Sequence, residues 1–231
     1  MNEQYSSPIL SIVIPTCNRK KFLFETIIHI ASRKVVVPKP YEIIIVQNGE
    51  EDISEILKVA ELPLKIIESY PRYSLAVARN YGIKHSKGDI ICFIDDDILV
   101  NENFFIRCLN VHSRFGDILY RASREYPEKL IHEANSYSFG RYKIKYEYKP
   151  QVKFLQELED GLYVVDGLAG YSLSIKRSTI EKIGMFDERF RYAGCEDAEF
   201  AYRASKLGLP IIFDTKNICY HNEYDKFFLE Q

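Results

Sequence analysis

The chain has 231 residues, 46% hydrophobic and 28% charged, which is the composition of a soluble globular protein able to bury a substantial core. A formal net charge of −2 argues against a nucleic-acid partner held by bulk positive charge. Five scattered cysteines (Cys17, Cys92, Cys108, Cys195 and Cys219), without C-x-x-C spacing, point to reduced thiols and exclude a disulfide framework or a zinc site.

Residues 10–14 are an apolar run stopped by Pro15 and read as a buried strand. A loop over residues 16–19 precedes Phe22, Leu23, Thr26, Ile27 and Ile30, which recur at helical spacing within residues 20–32. Residues 41–46 are a second strand, ended by Gln47-Asn48-Gly49, and residues 53–60 a short helix. Residues 64–68 are a third strand, and Ser74 caps a helix reaching His85, which Lys87-Gly88 ends. Residues 90–94 are a fourth strand, and Asn101 caps a helix reaching Phe115. Residues 120–160 lack clear periodicity apart from 142–148 and read as an insertion or a subregion, not a second domain. Residues 161–175 read as one bent strand with glycines at 167 and 170. A short helix over 178–183, a helix over 196–207 and a last strand over 209–213 complete the pattern.

Alternating strands and helices over the first 115 residues predict a mostly parallel sheet covered on both faces, within one domain spanning 1–231. In such sheets ligands sit beyond the carboxyl ends of the strands, where the polar loops after residues 14, 46 and 94 converge. No run of about 18 apolar residues exists to cross a membrane. Residues 1–7 are polar with no apolar signal region, so a cytoplasmic location is expected.

The fourth strand ends in Asp95-Asp96-Asp97. Three adjacent carboxylates repel one another and call for a compensating cation. A hard divalent ion, Mg2+ or Mn2+, shared with a phosphate group is one reading, and a solvated polar loop is the other.

Motifs across the chain bear on that choice. They are Pro-Thr-x-Asn-Arg after the first strand, Glu-Ile-Ile-Ile-Val-x-Asn-Gly at 42–49, and Ala-x-Ala-Arg-Asn-x-Gly at 76–82. Gly-Asp-x-x-x-Phe-x-Asp-x-Asp at 88–97, Gly-x-Phe-Asp-Glu-x-Phe at 184–190 and Glu-Asp-x-Glu-x-x-x-Arg at 196–203 follow. In this order and spacing, over residues 9–221, the chain resembles family 2 glycosyltransferases. The resemblance implies a GT-A (Rossmann-like) α/β three-layer sandwich with a mostly parallel central sheet. Residues 1–115 would form the nucleotide-sugar half, and residues 116–231 the acceptor and catalytic-base half.

The implied chemistry is inverting transfer of a sugar from a nucleotide-diphosphate donor (UDP-, GDP- or dTDP-linked) to an acceptor hydroxyl. The acceptor would be a carbohydrate, a lipid-linked or a small molecule, in polysaccharide, glycoconjugate or natural-product assembly. A lipid-linked acceptor would add a peripheral contact at the inner membrane face, and the oligomeric state is open.

By resemblance, Pro15, Thr16, Arg19, Gln47, Arg79, Asp95 and Asp96 line the nucleotide. Asp97, Asp95 and His221 belong to the Mn2+ or Mg2+ site. Asp197 is the general base, with Glu196 and Gly170 toward the acceptor. Gln47 stands where the family usually has an Asp, which puts a strict uridine preference in doubt. An amide both donates and accepts, so base binding survives in principle. Acids at a helix start are also favoured by the helix dipole, an independent reason for Glu196-Asp197.

Competing classes are a nucleotidyltransferase, which would want a glycine-rich basic loop after the first strand, and a phosphohydrolase with Asp95 as nucleophile. A non-catalytic sugar-nucleotide-binding protein is a third. The loop at 15–19 has no glycine, and no companion lysine or second acidic loop for a phosphohydrolase is evident.

Overall fold

The computed structural model describes residues 9–32, 34–58, 61–125, 138–139, 142–143, 152–191 and 194–222. In chain order the elements are β1 (Leu10–Thr16), α1 (Lys20–Ala31), β2 (Tyr41–Gln47), β3 (Leu64–Glu68), α2 (Leu75–His85), β4 (Ile90–Phe93) and β5 (Ile98–Val100). Then come α3 (Phe104–Phe115), β6 (Leu119–Glu125), β7 (Ser138–Phe139), β8 (Tyr142–Lys143), β9 (Phe154–Glu157), β10 (Leu162–Val165) and β11 (Ser174–Lys176). The chain closes with α4 (Arg177–Ile183), α5 (Glu196–Lys206) and β12 (Ile211–His221).

The main sheet runs β3-β2-β1-β4-β11-β6-β12-β10-β9, with β5 paired to β12 beside this path. It is parallel from β3 to β4. The antiparallel strand β11 joins β4 to β6, and β6 pairs with β12 in parallel. β10 and β9 add antiparallel pairs at the far edge.

The parallel strands are apolar on both faces because helices cover both. Ile12, Ile14, Ile43 and Ile45 pack with Leu23 and Ile27 of α1 and with Phe104 and Phe105 of α3. Val13, Ile44, Ile91 and Phe93 pack with Ala76 and Ala78 of α2, Ile180 of α4 and Phe200 of α5. This makes three layers, as expected from the alternation.

Pro15 does not stop β1. It pairs with Val46 of β2, while β4 pairs with β1 only as far as Val13. Val13 O accepts Ile94 N at 3.0 Å, so alternate residues of β1 face β4 and Pro15's missing N–H falls where that ladder has ended.

Several sequence expectations are corrected. The 53–60 helix is a short 3-10 turn at Ser54–Lys58, too brief for a core-facing helical stripe. The helix after Asn101 begins at Phe104, because residues 98–100 form β5 on the edge of β12. Residues 161–175 are two strands in different parts of the sheet, β10 and β11, separated by a 3-10 turn at Gly170–Ser172. The stretch from residue 120 opens with a central strand, β6, whose polar residues Arg121 and Ser123 hid it from a hydrophobic pattern. The last strand runs on to His221 through a register shift between Asp214 and Ile218. Within the aperiodic segment, 126–137, 140–141 and 144–151 lie outside the described residues.

Candidate active site

The loops after β1, β2 and β4 meet at the carboxyl edge of the parallel strands. Thr16 O accepts Asn48 N at 2.8 Å, which binds the first two loops together. Asn18, in a left-handed conformation at φ 55°, accepts Glu50 N at 2.7 Å and Glu51 N at 3.0 Å through Oδ1. Gly49 is required by this approach, since a Cβ there would lie 2.3 Å from Asn18 Oδ1 and 2.6 Å from Asn18 N. Asn48 Nδ2 donates to Ser69 Oγ at 2.7 Å, and Asn48 Oδ1 accepts Ser74 N at 2.6 Å. Ser74 Oγ in turn accepts Val77 N as the N-cap of α2.

The acidic triplet is pinned by its backbone. Asp95 N donates to Tyr171 O at 3.2 Å, and Asn222 N donates to Asp97 O at 2.7 Å. The Thr26 hydroxyl of α1 donates to Asp96 O at 2.8 Å. The three side chains then diverge. Asp96 is buried, with Oδ2 accepting the Thr16 hydroxyl at 2.7 Å and Oδ1 lying 3.3 Å from Arg19 Nη1. Burial pushes its carboxyl up to about 7, against the opposing pull of Arg19 and Thr16. Asp97 is also buried, but Arg19 Nη2 at 2.5 Å and His221 Nε2 at 3.2 Å both reach its Oδ2. Burial raises this carboxyl too, yet His221 and Arg19 outweigh it and hold it down at about 2. Asp95 is partly exposed, and its Oδ1 has no hydrogen-bond partner among the described residues and lies 3.6 Å from Arg79 Nη2. Burial raises the Asp95 carboxyl, with Arg79 opposing.

Asp97 and His221 are therefore the pair that fits a divalent metal. They are a hard carboxylate and a borderline imidazole whose atoms already converge, beside the unpartnered oxygen of Asp95. Among the described residues no group of three His, Cys, Asp or Glu side chains closes around one point. Asp97 and His221 would hold such a metal, which would supply positive charge beside a bound diphosphate.

Gln47 is buried at the end of β2. Its Nε2 donates to Glu51 O, which fixes the amide orientation, and its Oε1 is a buried acceptor with no hydrogen-bond partner among the described residues. An orphaned buried acceptor leaves one hydrogen bond open to a donor.

Arg79 is not directed at an open ligand surface. It is 1% exposed and its Nη1 donates to Glu196 Oε1 at 2.7 Å, at the first residue of α5. Glu196 is likewise buried, and its Oε2 accepts Gly194 N at 2.7 Å. Removing one partner of such a pair leaves an uncompensated buried charge, at a cost of about 3–5 kcal/mol.

Asp197 stands next along α5, with Oδ2 accepting Gly170 N at 2.9 Å and Oδ1 accepting Ala198 N at 2.8 Å. The ordinary helix-start ion pair belongs to Glu199 instead, which takes Arg203 Nε at 2.7 Å. Asp197 is thus partly exposed, and among the described residues it forms no ion pair with a cation.

Sequence reasoning missed Thr26, Asn48, Asn80 and Tyr171. Asn80 Nδ2 donates to Phe186 O and to Glu188 Oε1, both at 2.9 Å, and its Oδ1 accepts Phe186 N at 2.9 Å. Asn48 and Asn80 lie inside the motifs at 42–49 and 76–82, which carried the signal for them. Thr26 falls within the apolar stripe of α1, and only its contact with the Asp96 carbonyl reveals its part.

A model of the family described as "Glycosyl transferase family 2" matches residues 11–177. A chondroitin synthase of Pasteurella multocida is 26% identical over 93% of this chain and 25% of its own length. A chondroitin synthase of Escherichia coli is 25% identical over 93% of this chain and 34% of its own length. The chain thus spans a quarter to a third of these relatives. Among solved structures, GalNAc-T7 with UDP, GalNAc and Mn2+ superposes with TM-score 0.73 at 18% identity, covering 93% of this chain and 43% of that one. A mannosyltransferase of Pyrobaculum calidifontis with GDP-Man and Mn2+ gives 0.66 at 15% identity, covering 96% and 59%. At such identities the likeness is one of fold.

Proposed function

Because the chain belongs to glycosyl transferase family 2, we propose that it moves a sugar from a nucleotide-diphosphate donor to an acceptor hydroxyl, with inversion at the anomeric carbon. The observation that carries this reading is the placement of Asp197. Its carboxylate is bound to Gly170, whose neighbour Tyr171 anchors the acidic triplet through Asp95 N. A carboxylate that among the described residues pairs with no cation is thus linked through residues 170 and 171 to the acidic triplet, which supports the reading.

In this reading Gln47 Oε1 accepts an N–H of the base. Pro15 and Thr16 carry the loop that borders the nucleotide. Asp95 faces the donor, while Asp96 supports the site from inside by fixing Thr16 and Arg19. Arg19 and the Asp97–His221 pair meet the diphosphate. A bound Mn2+ or Mg2+ would offset the charge that grows on the leaving diphosphate. Asp197 takes the proton of the acceptor hydroxyl as its oxygen attacks the anomeric carbon from the opposite side. The Gly170 and Ala198 N–H groups keep the carboxylate oriented for that transfer.

The relatives named chondroitin synthase, and the hyaluronan synthase of Pasteurella multocida, favour a carbohydrate acceptor and polysaccharide assembly. Among the described residues no helix is long and apolar enough to cross a membrane. The test is release of UDP or GDP from UDP-GlcNAc or GDP-Man, with an acceptor panel, in Mn2+ and in EDTA. Metal-dependent nucleotide release coupled to a glycosylated product is expected. Pyrophosphate release from a nucleoside triphosphate and a sugar phosphate would point instead to nucleotidyl transfer.

A further inference from the structure

Arg79 and Gly170 lie at the junction of the two halves of the site. The Arg79 guanidinium reaches Glu196 Oε1 at 2.7 Å on one side and approaches Asp95 Oδ1 at 3.6 Å on the other. Its plane rests against the backbone of Gly170, where a Cβ would lie 2.2 Å from Nη2 and 2.6 Å from Cζ. The Phe186 ring lies 5.4 Å from the guanidinium carbon. Gly170 lies outside the positive-φ region, so space and not backbone strain demands a glycine there. The same residue donates its N–H to Asp197 Oδ2 at 2.9 Å.

We propose that Arg79 and Gly170 form a positioning clamp that sets the Asp197 carboxylate relative to the donor-side acid Asp95. The proposal rests on the reading of Asp197 as the base. Neither clamp residue touches the reacting atoms. Arg79 fixes the start of α5 through Glu196, and its guanidinium defines how far the Gly170 peptide can approach. That peptide in turn orients Asp197. The geometry explains why a charged residue sits in the interior of α2. A planar guanidinium is the side chain that can bind a carboxylate at one edge while presenting a flat face to a peptide. A misplacement of about 1 Å at a reacting group costs on the order of 100-fold in rate.

Two variants test the clamp. Gly170→Ala keeps every charge and forces either the guanidinium or the peptide to move. The double variant Arg79→Met with Glu196→Gln removes both members of the buried 2.7 Å pair together, and the acid that then loses a nearby cation is the partly exposed Asp95. Nucleotide release from UDP-GlcNAc or GDP-Man with Mn2+ gives kcat, and titration with UDP or GDP and Mn2+ gives nucleotide affinity. Both variants should lose about 100-fold in kcat with nucleotide affinity unchanged. Wild-type turnover in Gly170→Ala, recovery of turnover in the double variant, or a parallel loss of nucleotide affinity would overturn the clamp.

Amide hydrogen exchange at Gly170 supplies a reading that needs no substrate. Its protection should fall in the double variant as far as it falls in Asp197→Ala, and unchanged protection would overturn the clamp. If the wild-type chain turns over neither donor, the functional reading fails while the exchange result still decides the clamp.

Discussion

Replacing Thr16 by Val removes one hydroxyl from the interior while keeping the side-chain volume. That hydroxyl donates to Asp96 Oδ2 at 2.7 Å, and both residues are buried. The Asp96 carboxyl has a value of about 7 in the folded chain against an ordinary 3.8, raised first by burial. Between those values the folded chain holds a proton that the unfolded chain has lost. Through this group, stability therefore falls as pH rises across that window. The bond to Thr16 lowers the Asp96 value, so it favours the ionised form. Well below 7 the bond is neutral and its loss should cost about 1 kcal/mol. Well above 7 it is charge-assisted and its loss should cost about 2–3 kcal/mol. Urea unfolding of wild type and Thr16→Val in EDTA, at about pH 5 and about pH 8.5, measures both differences. An equal loss at the two pH values, or a larger loss in acid, would refute the assignment of Asp96 as a buried acid charged only above neutrality.

Three further outcomes follow from named contacts. Gly49→Ala drives a methyl into Asn18 Oδ1, 2.3 Å away, and should cost about 1–3 kcal/mol in urea unfolding while weakening nucleotide binding; an unchanged midpoint would show that the two loops are not locked. Gln47 offers an acceptor because its Nε2 is engaged by Glu51 O. A nucleoside diphosphate whose base donates an N–H to that acceptor should therefore bind about tenfold more weakly to Gln47→Leu; affinities for UDP and GDP unchanged in Gln47→Leu contradict this. His221→Ala should weaken Mn2+ binding by about tenfold or more, on the order of 1.4 kcal/mol, as read by titration in the presence of UDP; unchanged metal affinity would remove His221 from the site.

The first half of the chain was legible because local pattern and tertiary role agree there. β1 and β2 hold the buried apolar runs 12–14 and 43–46, β3 is a short edge strand beside them, and Ser74 caps α2 as its position suggested. The second half was not, because its strands are defined by partners and not by composition. β6 carries Arg121 and Ser123 yet sits between β11 and β12, and β5 has three residues and needs β12 to exist.

The acidic triplet could be found in the sequence, but not how it divides. Three identical side chains in a row take different environments because Thr16, Arg19 and His221 arrive from residues 80, 78 and 124 positions away in the chain. Arg79 shows the limit most clearly. A motif arginine on a helix suggests a ligand contact, and nothing in the motif foretells that this one is 1% exposed and bonded to Glu196 beside Gly170.

Asp197→Asn tests directly whether Asp197 accepts the acceptor's proton. The amide keeps the size of the side chain, and its oxygen can still accept the Gly170 N–H, while the basic site is gone. Transfer should fall by about 100- to 10,000-fold, while binding of UDP or GDP with Mn2+ stays at the wild-type level. Transfer at the wild-type rate, or loss of nucleotide binding in step with transfer, would contradict the account.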